Sequence, residues 1–322
     1  MLAAYKLRVP QPEPAPINTA TRLCAVLGSP IRHSASPAMH NAAFAALGLN
    51  WRYLAFEVDP KNLRAAIDGA KAMGFSGLNL TVPHKLLAME MVDALDTSAK
   101  RWGAVNTIRF EGRTEKSDWL PLREFSGHPP AEIRSVGFNT DADGLADSLR
   151  EDLNFEPRGA KVLVLGAGGA GRVAALKLAS ENVSELFLVN RTFSKNSSLG
   201  GEISRQFPSV YVSLDYPKDS HVKMDLVINA TTLGLQAGDA SPLDEKSFSL
   251  AQARAVYDMI YQPSETRLLA VANRAGCKTA NGVGMLVHQG AKAFEIWTGQ
   301  PAPAAVMRRA VESVVQSSTS QH

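Results

Sequence analysis

The stretch from Lys161 to Leu176 constrains the fold of this chain more than any other. Four β-forming residues, Val162 to Leu165, are followed by Gly-Ala-Gly-Gly-Ala-Gly and then by an alanine-rich segment with helical spacing. This order of strand, tight turn and helix is typical of a βαβ nucleotide-binding unit. Gly166 would permit the turn, Gly168 would let backbone N–H groups approach a pyrophosphate, and Gly171 would let helix and strand pack closely. A glycine-rich turn without a ligand is the alternative, but the flanking strand and helix favour a dinucleotide.

The end of the next predicted strand, Leu186 to Val189, indicates which dinucleotide binds. A fold specific for NAD places an acidic residue about 20 residues past the glycines to hold the ribose 2′-hydroxyl, whereas an arginine there accepts a 2′-phosphate. In this chain the strand is followed by Asn190, Arg191 and Thr192, with Lys195 one turn further and no acidic residue. The sequence therefore predicts NADP, in preference to the alternative that Arg191 is an ordinary surface charge.

Size and composition exclude several classes of protein. A chain of 322 residues with 45% hydrophobic and 20% charged residues is typical of two globular domains. A formal net charge of +3 is too small to indicate nucleic acid. The two cysteines and seven histidines form no metal-binding pattern, so we expect no metal and a reducing compartment. No apolar run could span a membrane, and residues 1–20 are a proline-rich flexible tail rather than a signal peptide, so we expect a cytoplasmic protein.

Two serines ahead of the glycine-rich stretch have an ambiguous pattern. Residues 28–37 are predicted to be a loop that enters a helix, with Ser36 as the N-cap and Pro37 in the first helical position. Capping does not account for Ser34. Two hydroxyls beside a helix N-terminus also suit a small carboxylate, because the free N–H groups and the helix dipole favour an anion.

Lys85 is the anomaly of the N-terminal half. A strand is predicted from Gly77 to Val82, with Asn79 and Thr81 on one face, and a helix begins after Pro83. Lys85 would then lie in the first turn of that helix, where the dipole disfavours a cation by up to roughly 1 kcal/mol. A helical lysine is usually solvated, but this placement beside a polar strand end favours a functional role.

Two further polar residues lie at predicted element boundaries. A strand is predicted to begin at Gly103 and to include Asn106, which is polar within an apolar stretch. Asp141 precedes a helix predicted over residues 142–153, for which it would be an ordinary N-cap. Between them, residues 109–134 are charged and rich in proline, and we expect a long surface excursion between two strands.

Taken together, these segments resemble the shikimate dehydrogenase family from about Leu23 to Val315. The resemblance implies a two-domain α/β fold with an interdomain cleft, in which residues 21–140 and 284–322 form an α/β/α substrate domain and residues 141–283 a Rossmann-type NADP-binding domain. The motifs that carry it are His33 to Pro37, Asn79 to Lys85, Gly103 to Thr107, Asn139 to Asp141, Gly166 to Gly171, Asn190 to Thr192, Asn229 to Thr231, Tyr257 to Tyr261 and Asn281 to Gln289.

The resemblance also implies a reaction, the reversible NADPH-dependent reduction of 3-dehydroshikimate to shikimate on the route to chorismate and the aromatic amino acids. Lys85 and Asp141 would form the catalytic pair. The substrate carboxylate would be bound by Ser34, Ser36 and Tyr261, and the ring hydroxyls by Asn79, Thr81, Asn106, Asp141 and Gln289. The cofactor would be bound by Gly166, Ala167, Gly168, Gly169, Ala170, Gly171, Asn190, Arg191, Thr192, Lys195, Thr231, Met259 and Gly282.

The sequence departs from the family pattern in places and leaves two alternatives open. Lys195 stands where the family commonly has an arginine, which would weaken the preference for NADP, and the 109–134 excursion is longer than usual. The alternatives are a quinate/shikimate dehydrogenase with relaxed cofactor use and a catalytically silent NADP-binding regulator. The expected partners are shikimate and 3-dehydroshikimate, without nucleic acid or membrane, and the protein would be a monomer or a homodimer.

Overall fold

The computed structural model describes residues 13–126, 130–219, 222–236 and 238–319 of the chain. Residues 1–12 of the predicted tail lie outside this range. The remainder of the tail contacts the first sheet, because the Arg52 guanidinium donates to the carbonyl of Ala15 and the side chains of Asn18 and Asn50 are hydrogen-bonded. Part of the segment that we predicted to be a flexible tail is therefore hydrogen-bonded to the folded body.

The first sheet combines parallel and antiparallel strands. Its strands in the described residues are β1 (Arg22–Gly28), β2 (Trp51–Glu57), β3 (Gly77–Leu80), β4 (Ala94–Leu95), β5 (Thr107–Arg113), β6 (Trp119–Pro121) and β7 (Ile133–Phe138). The spatial order is β2-β1-β3-β5-β7-β4, with β6 paired to β5. β1 lies parallel to β2 and β3, whereas β5 is antiparallel to both of its neighbours on this path. β1 is almost continuously buried because its alternate residues pack into two different cores, Cys24 and Val26 on one face and Ala25 and Leu27 on the other.

Four helices in the described residues accompany the first sheet; α1 and α2 lie close to the predicted positions, α3 is shorter than predicted, and α4 was not predicted. They are α1 (Ser36–Ala46), α2 (Leu63–Ala72), α3 (His84–Leu87) and α4 (Thr97–Trp102). The strand that we predicted to begin at Gly103 begins only at Thr107. Gly103 instead ends α4 in a left-handed conformation with φ of 62°, which is the usual role of a glycine after a helix.

The prediction of a long surface excursion over residues 109–134 is wrong at both ends. β5 continues to Arg113, pairs with β7 and forms a hairpin with β6, so that both ends of the segment and residues 119–121 belong to the sheet. Glu111 is buried in this hairpin and forms ion pairs with Arg109 and Arg134. The charged composition did not predict a strand here. A carboxylate can nevertheless be buried in a strand when two guanidinium groups pair with it.

The second sheet is fully parallel and has the doubly wound order of a dinucleotide-binding domain. Its spatial order is β10-β9-β8-β11-β12-β13 in the described residues, and α5, α6 and α7 cover the face opposite α8. The strands are β8 (Lys161–Leu165), β9 (Glu185–Val189), β10 (Tyr211–Ser213), β11 (Met224–Asn229), β12 (Ala253–Asp258) and β13 (Lys278–Ala280). The helices are α5 (Asp141–Leu153), α6 (Gly169–Ser180), α7 (Phe193–Gln206) and α8 (Arg267–Arg274).

The last two helices, α9 (Val283–Thr298) and α10 (Ala304–Thr319), return to the first sheet. Their buried residues Phe294, Trp297 and Met307 share a core with Met39 and Tyr53. The predicted two-domain α/β class is thus confirmed. None of the helices in the described part of the chain is long and apolar enough to cross a membrane.

Candidate active site

Lys85 and Asp141 form an ion pair where the two units meet. Lys85 Nζ lies 2.8 Å from Asp141 Oδ2, and only 17% of the lysine side chain and 3% of the aspartate side chain are exposed. Asp141 is the first residue of α5 rather than its N-cap, a position that Thr140 occupies without a side-chain capping bond. The ordinary capping role that we considered for Asp141 is therefore wrong, because its carboxylate bonds to side chains of the first sheet.

The position of Lys85 has a different cause from the one the sequence suggested. α3 is a single α-helical turn of four residues that continues as a 3-10 turn over Ala88–Glu90, so the α-helix is shorter than predicted and its dipole is correspondingly weaker. The backbone carbonyl of Lys85 accepts from the N–H of Val105 at 2.9 Å, and this bond attaches the turn to the segment that leads into β5. The lysine is thus oriented by tertiary hydrogen bonds and by Asp141.

Asn106 connects this pair to the substrate side of the site. Its Nδ2 donates to Asp141 Oδ1 at 2.9 Å and to Thr140 Oγ1 at 2.8 Å, and it also approaches Gln289 Oε1 at 3.4 Å. Its Oδ1 accepts from the backbone N–H of Thr140 at 2.8 Å. Asp141 Oδ1 is therefore hydrogen-bonded to Asn106, and Oδ2 remains for Lys85. Thr140 was not among the predicted site residues, although it lies in the Asn139 to Asp141 motif.

Asn79 and Thr81 lie at the end of β3 next to this network. Asn79 is buried and donates to the carbonyl of Asn106 and to the hydroxyl of Thr107. Thr81 follows the strand and is partly exposed, and its backbone N–H donates to the carbonyl of Leu27. On α9, Gln289 is partly exposed and donates to the carbonyl of Leu286 at 2.8 Å. Hydrogen bonds thus connect Asn79, Asn106 and Gln289 with Asp141, whereas Thr81 follows the same strand as Asn79 without a bond to this network among the described residues.

The serine loop differs in detail from the prediction. Ser36 is the first residue of α1 and makes no side-chain cap, whereas Ser34 Oγ accepts from the Ser36 backbone N–H at 3.3 Å. The helix starts at Ser36, one residue earlier than expected, so Ala35 is the N-cap, and it is Ser34 rather than Ser36 whose hydroxyl bonds to the start of the helix. Tyr261 reaches this loop from the second unit, and its hydroxyl accepts from the N–H of Ala35 at 3.4 Å. Burial raises the pKa of Tyr261, and hydrogen bonds with Ala35 and Ser34 oppose that rise.

The glycines of the β8–α6 turn occupy different environments. Gly166 has φ of 109°, and a Cβ on Gly171 would lie 2.1 Å from the Gly166 carbonyl oxygen, which accounts for glycine at both positions. A Cβ on Gly168 would meet no atom within 4 Å, so the backbone there faces open space. A Cβ on Gly169 would lie 3.9 Å from Lys85 Cβ. The Gly169 end of the glycine-rich turn therefore lies next to Lys85, and Ala167 and Ala170 stand between the glycines.

The residues after β9 divide into two groups. Asn190 Oδ1 accepts from the N–H of Ala167 at 3.1 Å, and its Nδ2 donates to the carbonyl of Thr192 at 2.9 Å. Asn190 thus ties the glycine-rich turn to the next strand. Arg191, Thr192 and Lys195 are exposed, and among the residues that the structure describes, neither cation has a carboxylate partner. Within the described residues, Arg191 and Lys195 are thus positive charges without an acidic partner beside the glycine-rich turn.

The remaining predicted cofactor residues lie after β11 and β12. Thr231 Oγ1 donates to Asn229 Oδ1 at 2.8 Å, and a Cβ on Gly282 would lie 2.1 Å from the carbonyl oxygen of Met259. Both loops rest on a buried pair that sequence reasoning did not identify, because Asn229 Nδ2 donates to Asp258 Oδ1 at 2.9 Å. Burial raises the pKa of Asp258. Its place between Tyr257 and Met259 in a recognised motif was the available signal.

Three family models match successive parts of the chain. The model described as "Shikimate dehydrogenase substrate binding domain" matches residues 26–108, that for "Shikimate / quinate 5-dehydrogenase" residues 148–238, and that for "Shikimate 5'-dehydrogenase C-terminal domain" residues 282–312. Over 300 residues the chain is 41% identical to a shikimate dehydrogenase (NADP(+)) from Methanopyrus kandleri, with 92% of this chain and 96% of the relative covered.

Solved structures agree with these matches. A shikimate dehydrogenase in complex with NADP+ superposes with a TM-score of 0.78 at 36% identity and covers 94% of this chain and 99% of that chain. A ligand-free 5-ketofructose reductase of Gluconobacter sp. strain CHM43 gives a TM-score of 0.73 at 30% identity, with 92% and 100% covered. The resemblance inferred from the sequence motifs is confirmed, and so is the prediction of NADP as the cofactor.

Proposed function

Because the chain belongs to the shikimate dehydrogenase family of NADP-dependent oxidoreductases, we propose that it catalyses the reversible reduction of 3-dehydroshikimate to shikimate. One observation carries the proposal. The Lys85–Asp141 ion pair lies beside the glycine-rich turn, with the Lys85 side chain only partly exposed. A ketone bound there would have a proton donor on one side and the dinucleotide-binding turn on the other.

Lys85 supplies what the chemistry of this reduction requires. Bound NADPH supplies the hydride. Addition of hydride to a ketone builds negative charge on its oxygen, and a proton donor or a cation within hydrogen-bond reach lowers the barrier. Lys85 Nζ fills that role, and Asp141 aims it while Asn106 holds the carboxylate. In the reverse direction the same amine accepts the proton of the shikimate hydroxyl.

The substrate carboxylate binds at the start of α1. Ser34, Ser36 and Tyr261 converge there from the two units, with the N–H of Ala35 between them. Asn79, Thr81, Asn106 and Gln289 surround the ring hydroxyls and, together with Asp141, select a polyhydroxylated ring. An uncharged substrate such as a keto sugar would make only neutral hydrogen bonds with these hydroxyls, whereas a carboxylate makes stronger, charge-assisted ones, and this argues for a carboxylate-bearing ketone.

The cofactor spans the second unit. The backbone from Gly166 to Gly171 binds the pyrophosphate, while Arg191, Thr192 and Lys195 bind the 2′-phosphate. Thr231, Met259 and Gly282 line the nicotinamide end. In domain terms, residues 21–140 and 284–322 act as the substrate domain and residues 141–283 as the cofactor domain. The two cysteines, Cys24 and Cys277, are free and buried, which agrees with activity in the cytoplasm.

One assay tests the proposal. Initial rates are measured with shikimate, quinate and the reduced form of 5-ketofructose, each with NADP+ and with NAD+, and with 3-dehydroshikimate and NADPH in the reducing direction. We expect the highest kcat/KM for shikimate with NADP+. Comparable rates with quinate or NAD+ would favour the relaxed dehydrogenase, and NADP+ binding without turnover of any substrate would favour the silent regulator.

A further inference from the structure

Asp258, the last residue of β12, is a buried carboxylate held by neutral hydrogen-bond donors. The residue is 0% exposed. Its Oδ1 accepts from Asn229 Nδ2 at 2.9 Å and from the N–H of Ile260 at 3.0 Å, and its Oδ2 accepts from the hydroxyl of Thr266 at 2.7 Å. Among the residues that the structure describes, no cation is paired with it. Burial raises the pKa of Asp258, and these three hydrogen bonds oppose that rise.

The negative charge of Asp258 is not explained by the turn that it supports. Burial of a charge without a counter-ion costs free energy, whereas a neutral asparagine could accept the bonds from Asn229 and Ile260 and donate to Thr266. Because all three neighbours donate to Asp258, the contacts favour the ionised carboxylate. A buried, unpaired charge of this kind indicates a role beyond holding the turn.

Asp258 is connected through one neighbour to each residue that is proposed to line the nicotinamide end of the cofactor. These residues are Thr231, Met259 and Gly282. Asn229, which donates to the carboxylate, accepts from the N–H and the hydroxyl of Thr231 at 3.0 and 2.8 Å. The carbonyl of Ile260 accepts from the N–H of Gly282 at 3.1 Å, and Met259 directly follows Asp258 in the chain. The charge therefore lies behind the loops that would contact the nicotinamide ring.

The two forms of the cofactor differ in charge at that ring, which is a cation in NADP+ and neutral in NADPH. A fixed negative charge behind the ring attracts the cation more than the neutral ring. We propose that Asp258 is a positioning residue with an electrostatic role, whose charge strengthens the binding of NADP+ relative to NADPH. It would thereby favour hydride donation to the ketone, which leaves the ring positively charged. The proposal rests on the proposed function, since that function places the nicotinamide beside the loops that Asp258 connects.

The test compares the dissociation constants of NADP+ and NADPH for wild type and Asp258→Asn by calorimetric titration without substrate. Asparagine keeps the shape of the side chain and removes its charge. We expect Kd for NADP+ to rise about tenfold, as loss of one nearby charge in a partly desolvated site predicts, with Kd for NADPH within about twofold of wild type. Asp258→Ser, whose smaller neutral side chain leaves room for water, should shift the ratio in the same direction and gives the reading if the asparagine variant does not fold.

Two controls separate the charge from the geometry of the turn. Thr266→Val removes one hydrogen bond to the carboxylate and keeps its charge, so any loss of affinity should be equal for NADP+ and NADPH. Asp152→Asn removes one charge from the same unit, at a carboxylate that is paired with Arg308. It should leave the ratio of the two dissociation constants unchanged.

Equal changes for the two cofactor forms in Asp258→Asn, or no change for either, overturn the electrostatic role. A shift of the same size in Asp152→Asn also overturns it, because the effect would then come from the net charge of the protein. A wild-type enzyme that binds both cofactor forms but does not oxidise shikimate overturns the proposed function instead. The ratio can still be read in that case, since the titrations contain no substrate.

Discussion

Lys85 Nζ and Asp141 Oδ2 lie 2.8 Å apart although 56 positions separate the two residues in the chain. Asp141 is almost wholly buried, and its other oxygen accepts from Asn106. The pair therefore joins the turn after β3 to the first residue of α5, so that one interaction both assembles the proposed site and connects the two sheets. Removal of one partner leaves the other as an unpaired buried charge, a change that typically costs about 3–5 kcal/mol of stability.

Replacement of Lys85 by methionine should abolish most of the turnover. We expect kcat to fall by about 10²- to 10⁴-fold, because the proton donor is lost, while KM for shikimate changes little. Lys177→Met is the matched control, since Lys177 is also largely buried and pairs with Asp143 and Glu181 away from the cleft. Its kcat should stay near the wild-type value. A Lys85→Met enzyme with near-normal kcat would remove this residue from the mechanism.

Arg191 should account for most of the discrimination between NADP and NAD. Arg191→Gln loses a charged hydrogen bond to the 2′-phosphate, so we expect KM for NADP+ to rise by about tenfold or more, with little change for NAD+. Lys195→Arg should strengthen the preference, since a guanidinium binds phosphate with two hydrogen bonds. The exposed Arg205 at the end of α7 is the control, as Arg205→Gln should leave both constants unchanged. Equal losses for NADP+ and NAD+ in Arg191→Gln would contradict this role.

Substitution by alanine should affect stability at one glycine of the β8–α6 turn and cofactor binding at another. A Cβ at Gly171 would overlap the carbonyl oxygen of Gly166, and the backbone must shift, so Gly171→Ala should lower the free energy of unfolding by about 1–3 kcal/mol. Gly168→Ala meets no atom and should fold normally. Its methyl group would instead obstruct the pyrophosphate and raise KM for NADP+. Chemical denaturation and cofactor titration separate the two, and a stable Gly171→Ala enzyme would contradict the close packing.

His40 should make the protein less stable as the pH falls below neutrality. Burial lowers the pKa of His40 from 6.5 to about 3, so between these values the unfolded chain binds a proton that the folded chain does not. Stability is fully present above pH 6.5 and is lost toward pH 3, with a slope of at most about 1.4 kcal/mol per pH unit. Urea denaturation of His40→Phe between pH 6.5 and 5 should show a flatter slope than wild type, whereas substitution of the exposed His33 by glutamine should not. An unaltered slope in His40→Phe would mean that the ring titrates normally.

Features that depend on residues close together in the sequence were predicted correctly more often than features that depend on distant residues. The β8–α6 turn, with Gly166 and Gly171, was predicted in detail because backbone sterics act between near neighbours. The α4–β5 boundary at Gly103 and the cap of α1 were missed by a few residues, because several starting points have similar local energies. The hairpin around Glu111 was missed for a different reason. A charged residue such as Glu111 predicts a surface position unless its partners Arg109 and Arg134 are known to lie beside it.

By itself, the sequence determined most of the strands and helices, the dinucleotide turn and NADP as the cofactor, and it named Arg191 as the residue that we expect to bind the 2′-phosphate. These follow from local sterics and from the chemical character of single residues. The pairing of Lys85 with Asp141 was implied by the family resemblance and not by a local pattern, and only the tertiary structure decided that Asn106 holds the carboxylate and that Tyr53 bonds to Asn79. Hydrogen bonds between residues tens of positions apart depend on how two sheets and the returning α9 pack together, and no local pattern records that geometry.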